Sequence, residues 1–115
     1  MKEFKYVLKD KLDDGMKNPY KGNVLLRLLP FMERNEASRE FNFELDDEKN
    51  VKSKDLFELN QKMATLVKNN IVTIDVKKGK ESFSSLDELD YDEDVAHLYG
   101  ELGGVLIKGI NLGKN

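Results

Sequence analysis

Four carboxylates, Asp90, Asp92, Asp94 and Glu101, occupy the first, third, fifth and twelfth places of a calcium loop of the EF-hand type. That spacing could coordinate a metal, because Ca²⁺ takes about six to eight oxygens from closely spaced carboxylates and carbonyls. The sixth place needs glycine for a sharp turn, and this chain has Val95 there. The eighth place is His97, and no second loop exists to pair with the first. Val95, Leu98, Tyr99 and Leu102 also carry a helical stripe straight through the would-be loop. Asp90 to Asp94 therefore read as the N-cap and first turn of an acidic helix, whose dipole favours anions there. Neither a metal site nor a cofactor is expected.

His97 is the single histidine. It could serve as a general base, oriented by Asp94 one helical turn earlier. Such a role needs a nucleophile or an electrophile beside it, and no serine or lysine of this segment is placed to be one. Between Asp94 and Glu101, His97 reads as a surface side chain on an acidic face. We expect no enzyme. Lys77, Lys78 and Lys80 surround Gly79, with Lys62 and Lys68 upstream, and such a basic tip could touch phosphate. Phe4, Tyr6, Phe41 and Phe43 alternate along two expected strands and could stack bases, as in single-strand-binding folds. The same spacing also suits a sheet face that helices cover.

The elements that must position these groups follow from composition and pattern. A chain of 115 residues with 39% hydrophobic content can bury one core, so a single domain over 1–115 is expected. The absence of cysteine excludes disulfide scaffolds, thiolate zinc sites and cysteine nucleophiles. A formal net charge of −3 disfavours duplex nucleic-acid binding driven by overall charge. The charge is uneven: residues 1–83 carry 17 basic and 15 acidic side chains, and residues 84–115 carry 2 and 7. An acidic last third suits a basic partner surface. No apolar run approaches the ~20 residues of a membrane span. The first ten residues lack the uninterrupted apolar stretch of a signal peptide. A cytoplasmic protein without membrane contact is the expectation.

Phe4, Tyr6 and Leu8 alternate with Lys5, Val7 and Lys9, which predicts a strand over Lys2–Lys9 with one wet face. Asp13-Asp14-Gly15 and Asn18-Pro19 mark a loop. From Val24, the spacing of Leu25, Leu28, Leu29 and Met32 predicts a helix that ends near Leu29 or restarts, kinked, at Pro30. A buried strand over Val24–Leu29 fits the same short run. Alternation over Arg39–Leu45 predicts a second strand. Ser53 would cap a helix carrying Leu56, Leu59, Met63 and Leu66 along one side and closing at Asn69-Asn70. The β-branched run Ile71–Val76 predicts a third strand, followed by a turn over Lys77–Glu81. A last helix from about Asp92 to Lys108 gathers Val95, Leu98, Tyr99, Leu102 and Leu106 on one face, with Gly109 just past its end. The order β-α-β-α-β-α with amphipathic strands points to the α+β class. It implies a small, mainly antiparallel sheet of three or four strands covered by two to three helices.

Gly103-Gly104 inside the last helical pattern costs ~1 kcal/mol per glycine relative to alanine, so the pair needs a reason. Close packing against another helix is one. The other is that the helix stops at Leu102 and Val105–Leu112 extends as an arm able to pair with another chain. The segment FSSLDELDYDEDVAHLYGELGGVLIKG opens with a capping Ser85-x-x-Glu88, passes through an acidic gap and ends in a helix carrying Leu98-Tyr99. It resembles small phage-encoded accessory proteins and is loosely similar to the C-terminal helical part of tail-assembly chaperones. That resemblance implies a virion-assembly role, in the host cytoplasm or the virion. The run VLLRLLP over Val24–Pro30 is also similar to phage single-strand-binding proteins, whose basic groove residues and zinc ligands are missing here.

The resulting expectation is a small, non-enzymatic interaction module, an assembly or accessory factor of a phage or mobile element. It would offer its acidic C-terminal helix and arm to a protein partner or to a second copy of itself. Asp92, Glu93, Tyr99, Leu102, Leu106 and Ile110 are the expected contact residues. The alternative is a single-stranded nucleic-acid-binding protein using Phe4, Tyr6, Phe41 and Phe43 together with Lys77, Lys78 and Lys80.

Overall fold

The computed structural model of the chain describes residues 2–12, 14–42 and 53–109. Its elements run β1 (Glu3–Val7), β2 (Lys21–Arg27), α1 (Phe31–Asn42), α2 (Ser53–Asn70), β3 (Ile71–Lys78), β4 (Glu81–Phe83), α3 (Leu86–Leu89) and α4 (Val95–Lys108). The four strands form one antiparallel sheet in the order β1-β2-β3-β4. The fold is thus of the small α+β class, with helices α1 and α2 inserted between two strands that are neighbours in the sheet.

Alternation along the strands separates two sheet faces. Val24, Leu26, Val76 and Phe83 are buried, and they share one core with Leu98, Tyr99, Leu102 and Leu106 from α4 and Val67 from α2. Phe4 and Tyr6 pack half-buried against that core, with Leu8 fully inside it. The opposite face carries Lys5, Val7, Lys21, Thr73, Asp75 and Lys77, all exposed. Burying a Leu or Val side chain is worth about 1.5–3 kcal/mol. The leucine stripe of α4 is therefore the main reason this helix sits where it does.

Three expectations are corrected. Val24–Leu29 is not a helix: its first part belongs to β2, the strand alternative. Leucines at three- and four-residue spacing also form a contiguous apolar run, and a central strand with Val24 and Leu26 inward and Leu25 half-buried outward accepts such a run. Pro30 immediately precedes α1, its carbonyl accepting from the Arg34 N–H at 2.9 Å. Second, Arg39–Asn42 is the end of α1 rather than a strand, so Phe41 lies on a helix; Phe43 to Leu45 lie outside the described residues. Third, the turn after β3 is shorter than expected. Lys77 and Lys78 remain in β3, Gly79 and Lys80 make the turn, and Glu81 opens β4, paired with Lys78. Gly79 at φ +60° takes the left-handed conformation that such a tight hairpin turn requires.

Close approach explains one glycine of the Gly103-Gly104 pair. A Cβ on Gly103 would lie 1.8 Å from Met63 Sδ, so this residue sets how near α4 comes to α2. Gly104 has open space around its Cα. The pair is helical, within an α4 that ends at Lys108, so the extended reading of Val105–Lys108 is excluded.

Candidate functional site

The acidic segment between α3 and α4 is built from successive turns. Ser85, extended at φ −145° and ψ 155°, accepts the Glu88 N–H and caps α3 as its Ser-x-x-Glu pattern predicts. Asp90 and Asp92 continue the bend, their N–H groups donating to Leu86 and Leu89 carbonyls, both at 2.9 Å. The Val95 N–H then donates to the Asp92 carbonyl at 3.2 Å, and α4 begins. Leu89, fully buried, pins the segment to the core.

Two Tyr–Asp–Lys clasps flank Tyr91. Asp92 accepts from the Tyr20 hydroxyl, from Lys78 Nζ at 3.1 Å and from the Asp94 N–H at 3.2 Å. Lys78 also meets Asp94 at 2.8 Å, and Glu93 lies 3.7 Å away. Burial pushes the Asp92 carboxyl up, but its hydrogen bonds from Tyr20, Lys78 and the backbone prevail and hold it below the usual range. Lys78 is raised by its hydrogen bond to Asp94 against a smaller effect of burial, and Tyr20 is raised by burial and by the Asp92 charge. On the other side, Asp90 accepts from Lys68 Nζ at 2.7 Å and from the Tyr99 hydroxyl. Those two bonds, Lys68 first, lower the Asp90 carboxyl; burial and Asp90 together raise Tyr99. Asp92 thus ties the segment to the sheet and Asp90 ties it to α2.

Glu101 is a third junction. It accepts from the Tyr6 hydroxyl at 2.7 Å, the Lys9 N–H at 2.9 Å and Asn18 Nδ2 at 2.9 Å, joining α4 to β1 and to the loop before β2. Asn18 is buried and also donates to the Lys9 carbonyl at 2.8 Å, while its Oδ1 accepts the Tyr20 N–H at 3.0 Å. The carboxylates that spelled a calcium loop are thus spent on internal contacts, Asp92 and Asp94 sharing Lys78 while Asp90 and Glu101 have partners of their own. Among the described residues no group of three His, Cys, Asp or Glu could hold a metal ion. His97 stands exposed on α4.

The expected contact residues fare unequally. Tyr99, Leu102 and Leu106 are buried in the core and cannot anchor a partner, because the apolar stripe of α4 faces the sheet and α2. Asp92 is drawn inward by Tyr20 and Lys78, with a side chain 10% exposed. Glu93 does face solvent, at 87%. Ile110 lies outside the described residues. For the nucleic-acid alternative, Phe4 and Tyr6 point into the core and Phe41 is on α1, so no aromatic sheet face forms among the described residues; Phe43 falls outside them. Lys78 is captured by the acids, whereas Lys77 and Lys80 are exposed. Sequence reasoning missed Tyr20, Lys68 and Asn18; an Asn-Pro-Tyr in a loop and a lysine in a helix carry no local signal for their roles.

What the arrangement leaves on the surface is Tyr91, 92% exposed, with Asp87, Glu88 and Glu93 exposed around it. A shallow groove of about 440 Å³ along α2 is lined by Glu58, Gln61, Lys62, Thr65, Leu66 and Asn69, all of that one helix. Among the described residues, no helix is long and apolar enough to cross a membrane. Comparison of the chain with protein families, with curated proteins and with solved structures finds no match.

Proposed function

We propose that this chain is a small, non-enzymatic interaction module that presents the segment between α3 and α4 to a basic surface of a protein partner. The observation that carries the reading is Tyr91, almost fully exposed on a backbone clasped on both sides through Asp90 and Asp92. A large aromatic on a backbone fixed in advance has only its own side-chain rotations left to lose on binding, which suits an interface anchor. The outward carboxylates of Asp87, Glu88 and Glu93 surround it with negative charge that favours Lys- or Arg-rich partners and speeds their approach. Relative to the sequence expectation, the contact surface moves from the apolar face of α4 to the turn before it. The role as assembly or accessory factor of a phage or mobile element is part of this proposal and rests on the resemblance of residues 83–109.

The test is affinity capture of partners by the tagged full-length chain beside its Tyr91→Ala and Glu93→Lys variants, each first checked for an unchanged unfolding midpoint. A partner held by the parent chain and lost from both variants supports the reading. An identical set of bound proteins for all three chains removes the turn from consideration.

A further inference from the structure

The open face of the sheet carries a row of lysines that no acid among the described residues neutralises. Lys21 on β2 and Lys77 on β3 stand directly opposite each other in the ladder, and Ser82 on β4 continues the row. The Leu8 N–H donates to the Gly22 carbonyl at 3.0 Å, so residue 9 extends the same row beyond Lys21. Lys9, Lys21 and Lys77 are all exposed, as is Lys80 on the adjoining turn. Among the described residues no ion pair holds any of these four. Like charges placed directly opposite on neighbouring strands destabilise a sheet. The acid nearest in register on this face is Asp75, one row further in, opposite Asn23.

We infer that this row binds the phosphate backbone of single-stranded nucleic acid on the outer sheet face. Neighbouring strands lie ~4.8 Å apart, so three ammonium groups span ~10 Å, the scale of a few consecutive phosphates. Beyond the row, Asn23, Leu25 and Thr73 offer polar and apolar contacts, in the register Asn23↔Asp75 and Leu25↔Thr73. Phe4, Tyr6 and Phe83 face the core, so among the described residues this sheet face holds no aromatic for base stacking, and the binding is electrostatic and sequence-independent. The acidic segment holding Lys78 is on the other side of the sheet. At physiological salt the screening length is ~8 Å, so charges close to the row weigh more on it than the net charge of −3 does. This surface is separate from the Tyr91 turn, and either can fail without the other.

Fluorescence anisotropy of a fluorescein-labelled thymidine oligonucleotide, titrated with the full chain at low salt, tests the inference. Three phosphate contacts predict a slope of about −2 in log affinity against log salt, or roughly ten- to twenty-fold weaker binding between about 50 and 200 mM. The double variant Lys21→Gln/Lys77→Gln should flatten that slope to about −0.7, whereas Lys108→Gln, the same type of charge change on α4, should leave it alone. Because the opposed lysines repel each other, Lys77→Gln should unfold no earlier than the parent chain. Absence of binding at low salt, a double variant that titrates like the parent, or a lowered unfolding midpoint for Lys77→Gln would each overturn the assignment. Heparin held more tightly than the oligonucleotide at equal salt would overturn the nucleic-acid identity of the ligand.

Discussion

Replacing Tyr20 by Phe removes one hydroxyl and leaves the ring in place, edge-on to Phe83 with centroids 6.5 Å apart. Tyr20 is fully buried and its hydroxyl donates to the Asp92 carboxylate, a hydrogen bond to a charged acceptor. Such bonds contribute about 1.5–3 kcal/mol. Asp92 keeps Lys78 and the Asp94 N–H, so the lower half of that range applies, about 1.5–2 kcal/mol. For a domain of this size that corresponds to a fall of roughly 6–8 °C in unfolding midpoint. The loss must also depend on pH. Asp92 is held below its ordinary range in the folded state, so its stabilisation is present above the unfolded value of about 3.9 and is lost as pH falls through the folded value. Urea unfolding followed by far-ultraviolet circular dichroism, at about pH 7 and again at about pH 3, should show the parent–variant gap shrinking at the lower pH. A loss under ~0.5 kcal/mol at neutral pH, or a gap of equal size at both, would refute the role given to this bond.

Glu101→Ala leaves the Tyr6 hydroxyl, the Lys9 N–H and Asn18 Nδ2 without their shared acceptor and should destabilise by about 2–3 kcal/mol. Amide hydrogen exchange at Lys9 should quicken ahead of β1 and β2. On α4, Gly104→Ala meets only open space and should stabilise by about 0.5–1 kcal/mol, a gain readable in the thermal midpoint. Gly103→Leu, driven into Met63, should instead destabilise by about 1–3 kcal/mol in the same assay.

Elements with an unambiguous period were legible in the sequence. The alternation around β1, the β-branched run of β3 and the stripe of α4 as far as Leu102 each admit one solution, and the structure adopts it; past Gly103-Gly104 the sequence fits helix and extended arm alike, and the structure continues the helix to Lys108. The run VLLRLL does not, because Leu at close spacing satisfies a helix stripe and a two-sided central strand alike; only its neighbours β1 and β3 decide. Strand β4 escaped notice because Glu81–Phe83 is too short to show a period. The acids of the last third were singled out correctly as unusual, yet their meaning lay elsewhere in the chain. Tyr20 meets Asp92 across 72 positions and Tyr6 meets Glu101 across 95. No local pattern encodes such pairings, and Coulomb attraction finds them only after the chain has folded.

The insertion of α1 and α2 between adjacent strands has a kinetic consequence. The ladders β1–β2 and β3–β4 are closed by nearby residues, the second by only Gly79 and Lys80. The central ladder β2–β3 closes only when residues 28–70 have been spanned, which makes it the nonlocal and slow event of assembly. Until it forms, the run Val24–Leu29 lies along an unpaired strand edge, with Lys21 and Arg27 at the ends of that strand as its main charges. Nascent chains are then open to pairing with one another along β2, so the time spent with this edge uncovered, more than the stability of the finished fold, sets how readily the protein aggregates while folding.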